Sequence, residues 1–145
     1  MAALRALADD CRDDPGTLIL LRERAATDQH KDVRQAALRA LANGWPDDRA
    51  TAALLRERAA TDQHKDVRLA ALLALASGWP DDRATAALLR ERAATDQHQD
   101  VRFVALRALA NGWSDPVTAA LLRERAATDP SYQVRQAALQ TLAYI

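Results

Sequence analysis

Aromatic side chains are scarce in this chain, with Phe, Tyr and Trp together making up 4% of its 145 residues. An interior without large rings has to be filled by Ala and Leu, which brings helix backbones close together and suits the high helix propensity of both residues. Glycine is also scarce, at four residues. No GxxxxGKS or GxxxxGKT phosphate loop exists, so P-loop nucleotide chemistry is excluded. A single cysteine excludes an internal disulfide and fits a reducing compartment. The charges cancel, 20 Lys and Arg against 20 Asp and Glu, and the sequence pI is about 6.8. There is no net field to draw in nucleic acid or an anionic membrane. The longest apolar run, Leu69 to Ala76, is well short of the roughly 20 residues of a membrane helix. No charged, apolar, small-residue leader precedes the first repeat, and the expectation is a cytoplasmic protein without a membrane partner.

What the chain does have is repetition. The string LLRERAATD begins at Leu20, Leu54, Leu88 and Leu121, so the phase advances by 34, 34 and 33 residues. A fixed period in this range marks a solenoid, in which each unit buries its apolar face against its neighbours. The expected organisation is one array over 1–145: a partial unit over 1–10, then units at about 11–44, 45–78, 79–112 and 113–145. Residues Ala2 to Ala8 align with Ala36 to Ala42, so the array starts in the middle of a second helix. Neither end carries an obviously polar capping unit. The segment reads as a piece excised from a longer array, Met1 being an added start. Uncapped ends leave end-to-end self-association open.

Each unit reads as two helices. In the second full unit Asp48 is the N-cap and Arg49 the first helical residue, and the aligned pairs Asp14/Pro15 and Asp115/Pro116 place proline where a helix start favours it. Helix A runs to about Thr61, with Thr51, Leu54, Leu55 and Ala59 on one side. A short turn leads to helix B, where Ser131 is a good N-cap and His30, His64 and His98 fill the same slot less well. Helix B spans about Lys65 to Ala76. It lines up Val67, Ala70, Ala71, Ala74 and Leu75 on one stripe, with Leu72 at its margin. Gly44, Gly78 and Gly112 then serve as stops able to take the left-handed conformation, each followed by a tryptophan, Trp45, Trp79 or Trp113.

In every full unit an Asp lies six residues before an Arg that directly follows a Val: Asp28 and Arg34, Asp62 and Arg68, Asp96 and Arg102, Asp129 and Arg135. This DxxxxVRxAAxxAL pattern resembles HEAT repeats over the whole chain. The resemblance implies an all-α, right-handed α-solenoid and a ladder in which the turn Asp of one unit bonds to the helix B Arg of its neighbour. Removing one partner should cost ~1 to 3 kcal/mol by stranding the other. The proline often found inside helix A of the family is missing, so these first helices should be straighter than the family norm. The tetratricopeptide signature is absent. The fuller form GWxDDxxTxxLLRERAxxDxxxxVRxAALxALA looks like the HEAT arrays that follow nucleotide-binding domains in bacterial NACHT-type signalling ATPases.

Nothing in the chain reads as chemistry. His30, His64 and His98 stand one per unit, and packed helices are ~8 to 10 Å apart, too far to share one ion. The pairs Asp13/Asp14, Asp47/Asp48 and Asp81/Asp82 are explained by capping and the helix dipole. Cys11 aligns with the tryptophan slot and reads as a small buried hydrophobe. No catalytic residue, cofactor or metal is expected.

The informative positions are those that differ between units. Units 45–78 and 79–112 differ only at Lys65/Gln99, Leu69/Phe103, Ala70/Val104, Leu73/Arg107 and Ser77/Asn111. At 100° per residue, 65, 69 and 73 share one arc of helix B away from the core stripe. The candidate concave face is therefore Lys31, Gln35, Arg39; Lys65, Leu69, Leu73; Gln99, Phe103, Arg107; and Tyr132, Gln136, Gln140. Leu69, Leu73 and Phe103 are apolar where water is expected, which fits a contact patch or, as the alternative, neutral drift on the least constrained face of a recently duplicated array. The resulting reading is a non-catalytic scaffold that binds a protein or peptide through this face, as the sensor or interaction segment of a larger bacterial protein. Two alternatives stay open: a HEAT-like nucleic-acid-binding or enzyme-associated module, and a passive spacer or consensus-like designed array with no partner.

Overall fold

A computed structural model describes residues 14–144 of the chain. The partial first helix, Cys11 and Asp13 lie outside the described residues. Among those described there are eight α-helices and no strand: α1 (Pro15–Thr27), α2 (Lys31–Gly44), α3 (Arg49–Thr61), α4 (Lys65–Gly78), α5 (Arg83–Thr95), α6 (Gln99–Gly112), α7 (Pro116–Thr128) and α8 (Tyr132–Leu142). The architecture is all-α, of the hairpin-repeat solenoid class. The chain divides into two compact units, Met1–Trp79 and Pro80–Ile145. The first holds the hairpins α1/α2 and α3/α4, and the second holds α5/α6 and α7/α8.

Every helix start has a side-chain cap. Asp14, Asp48 and Asp82 accept the N–H two residues on, and Asp115 accepts that of Thr118. The second helices of three hairpins are capped by histidine, with Nδ1 of His30, His64 and His98 accepting the N–H of Asp32, Asp66 and Asp100 at 3.1 Å. Ser131 does the same work for α8 through Val134. The second helices end differently from the expectation. Gly44, Gly78 and Gly112 are the last helical residues, and no described residue has a positive φ. The chain leaves the helix at the tryptophan instead. Trp45 has φ −133° and ψ 62°, and its N–H still reaches the Leu41 carbonyl at 2.9 Å. That bond satisfies the orphan carbonyl without a left-handed residue, so these helices run two residues beyond the predicted Ala76.

The interior of each unit is built mainly from Ala, Leu and Val. In the first, Leu21, Ala25, Leu55 and Ala59 from the first helices meet Ala37, Leu41, Val67, Ala71 and Leu75 from the second, all fully buried. Leu38, on the next position round α2, is also buried at 1% exposure. The corresponding Leu72 and Leu106 are buried too, so this leucine belongs to the core and not to its margin. Within each unit the second helices pack against each other far more extensively than the first helices do: α2 with α4, and α6 with α8. The hairpins of a unit are therefore joined mainly along their second helices.

Candidate interaction face

Two sets of residues singled out by the repeat have to be located: the Asp and Arg of the turns, and the outward arc of the second helices. Asp62 closes α3, its own N–H bonding to the Arg58 carbonyl at 3.0 Å. Its Oδ1 accepts the His64 N–H at 2.9 Å and Arg34 Nη2 at 3.0 Å. Its Oδ2 accepts Arg34 Nε at 2.9 Å and Arg58 Nη1 at 3.3 Å. The fork joins the second helix of one hairpin to the turn of the next, with side chains 5% and 1% exposed. Arg34 Nη1 points the other way, donating to the Asp28 and Gln29 carbonyls at 2.9 and 3.2 Å. In the second unit Arg102 repeats this. It grips Asp129 at 2.9 and 3.0 Å and donates to the Asp96 and Gln97 carbonyls at 2.8 and 3.3 Å.

The remaining members of the set sit in equivalent turns. Arg68 and Arg135 donate to the carbonyls of Asp62 and Asp129 at 2.8 and 2.7 Å. Asp28 and Asp96 accept the N–H of His30 and His98, each at 2.9 Å. A third participant escaped the sequence reading. Arg24, Arg58, Arg92 and Arg125 each reach the turn Asp four residues on, at 3.2 to 3.3 Å. The i,i+4 spacing inside RERAATD carries that signal. Burial alone raises the Asp62 carboxyl, but the Arg34 fork, the His64 N–H and the nearby guanidiniums outweigh it and hold the group below the usual range. Asp129 is held low in the same way by Arg102 and the Ser131 N–H. A carboxylate with four donors has every lone-pair site occupied and none left for chemistry.

The outward arc of the second helices forms grooves. In the first unit a groove of about 410 Å³ runs between α2 and α4, and Arg39, Asn43, Ala70, Leu73 and Ser77 line it. In the second unit one groove of about 390 Å³ between α6 and α8 brings together Gln99, Phe103, Gln136 and Gln140. Another of about 470 Å³, nearer the helix ends, adds Arg107, Asn111, Thr141 and Tyr144. Leu73 is 53% exposed, whereas Leu69 and Phe103 are only half-buried. Arg107 lies 5.8 Å from the Phe103 ring centroid, in cation–π range. Other members are engaged within the fold. Lys31 bonds Asp66 across α2 and α4 at 2.8 Å, which raises the lysine and lowers the carboxylate. Ser131 donates to Gln99 Oε1 at 2.6 Å in the second unit. Tyr132 is exposed, and Gln35 is half-buried. Lys65, like Arg68, has interaction partners within the fold.

Among the described residues no cluster of His, Cys, Asp and Glu could hold a metal ion, and no helix is long and apolar enough to cross a membrane. The family model described as HEAT repeats matches residues 1–76, 18–110 and 52–143. No curated protein and no solved structure matches the chain.

Proposed function

Because the chain belongs to the HEAT repeat family, whose members commonly serve as protein-interaction scaffolds, we propose that it is a non-catalytic scaffold which binds a protein or peptide in the grooves between its second helices. The observation that carries this is where the units differ. Units 45–78 and 79–112 share every residue of helix A and of the turn, and their five differences all fall in helix B. Ala70, Leu73 and Ser77 line the groove of the first unit, while Gln99, Phe103, Arg107 and Asn111 line those of the second. Between two units otherwise identical, differences that include Ala70, Leu73 and Ser77 on one side and Gln99, Phe103, Arg107 and Asn111 on the other fall largely in the grooves, as a surface under selection for a partner would show. The likeness of the repeat unit to arrays behind bacterial NACHT-type nucleotide-binding domains makes the sensor segment of a larger cytoplasmic protein the proposed setting.

The test is selection of a random phage-displayed peptide library on the immobilised chain. Peptides enriched on the wild type should lose at least about tenfold in affinity for a Leu69→Ser, Leu73→Ser, Phe103→Ser variant, the loss of apolar contacts worth ~1 to 2 kcal/mol. Circular dichroism establishes that the variant keeps its helices. Leu73→Ser alone, at an exposed site, guards against a folding defect. Equal binding to wild type and variants would sink the proposal.

A further inference from the structure

Almost every cation near the second helices has an acidic or carbonyl partner inside its own unit. Lys31 holds Asp66, Arg34 holds Asp62, Arg102 holds Asp129, and Arg68 and Arg135 clamp turn carbonyls. Two guanidiniums break the pattern. Arg39 and Arg107 occupy the same position of the repeat, one per unit, are exposed, and have no carboxylate partner among the described residues. The grooves they line contain no acidic side chain, Asp100 lining the neighbouring groove of the second unit. The acids on their own helices, Asp32 and Asp100, are seven residues away, about 10 Å along the axis. The negative end of the helix dipole supplies roughly half a counter-charge, so each groove keeps a net positive character.

The rest of the lining narrows what that charge is for. An asparagine lies one turn beyond each arginine, Asn43 or Asn111, and the facing side presents Leu73 and Ser77 in one unit and Gln140 with Tyr144, just past the end of α8, in the other. Carboxamides and hydroxyls beside one guanidinium can hydrogen-bond an extended backbone while the fork takes one carboxylate. A nucleic acid needs a row of cations, one for each phosphate neutralised, and each groove offers one. Phe103 under Arg107 limits the directions the guanidinium can point.

We propose that each groove takes an acidic peptide segment, with an Asp or Glu carboxylate on Arg39 in the first unit and on Arg107 in the second. This rests on the grooves being the recognition surface and names the chemistry of their partner. The probe is a short labelled peptide of alternating glutamate and serine, blocked at both ends, compared by fluorescence anisotropy with the same peptide carrying glutamine. The glutamate peptide should bind roughly tenfold more tightly, and the Arg39→Gln, Arg107→Gln double variant should abolish that difference. Its affinity should also fall as salt rises. Equal binding of the two peptides, undiminished binding to the double variant, or no binding of either peptide overturns the proposal. Library peptides that lose affinity for the Leu73→Ser variant yet ignore both arginine substitutions would overturn the acidic partner while leaving the groove reading intact.

Discussion

Asp62 shows what a single residue does in this fold. Its carboxylate is 1% exposed and receives two bonds from Arg34, one from Arg58 and one from a backbone N–H. Asp62→Ala leaves the Arg34 guanidinium buried beside a cavity, and the expected loss is about 3 to 5 kcal/mol in urea unfolding, above the range for a simple hydrogen bond. Arg58→Ala removes only one bond at 3.3 Å from a carboxylate that keeps three others, so about 1 kcal/mol is expected. If the two variants lose the same amount, the fork is not what holds the turn. The six-residue spacing of Asp and Arg makes both residues visible in the sequence. What the spacing does not carry is reach: Arg34 gives its fork to Asp62, 28 residues on, and only an Nη1 bond to the carbonyl of its own Asp28. That division follows from how hairpins stack, which is tertiary information.

At the scale of the element, helix starts were legible because caps are local: an Asp before Pro or Arg, or a Ser at the same place in the repeat, accepts an N–H of the first turn. Helix ends were less so. Glycine before tryptophan suggested a left-handed stop, but a stop needs only that the orphan carbonyl find a donor, and the tryptophan N–H provides it from a right-handed conformation. The difference has a measurable consequence. A β-carbon added at Gly78 or Gly112 would meet nothing within 4 Å, and the backbone there is helical. Gly78→Ala and Gly112→Ala should therefore each stabilise the fold by about 0.5 to 1 kcal/mol, by reducing the freedom of the unfolded chain. Destabilisation by either would mean that the glycine does adopt the left-handed form in solution. The groove was legible only in part, since helical spacing puts 65, 69 and 73 on one arc but is silent on side-chain neighbours. Lys31 and Gln99, predicted for the outward face, are bonded to the adjacent helix, and the asparagines and Tyr144 that complete the grooves lie outside the arc.

At the scale of the whole molecule, net charge near zero hides a consistent bias. Asp48, Asp62, Asp66, Asp115 and Asp129, spread over both units, are all held below the ordinary carboxyl value of 3.8. In the unfolded chain each returns to about that value, so between the folded values and 3.8 the unfolded state binds more protons than the native one. Stability therefore rises with pH in that window; the contribution is complete above 3.8 and is lost as pH falls through the folded values. Thermal melts by circular dichroism at fixed ionic strength should give a steep fall of Tm as the pH drops below about 4. Asp62→Asn with Asp129→Asn should lower the neutral Tm and flatten the fall, because two of the buried carboxylates that titrate are gone. Added salt should leave most of the neutral Tm intact, since these two forks are shielded from solvent, while the Lys31–Asp66 pair, about a third exposed on each side, is screened. A wild-type Tm that stays level through the acid range would mean that the forks contribute no more to the folded chain than hydration of the same groups contributes to the unfolded one. Apolar packing of the second helices alone would then hold the array together.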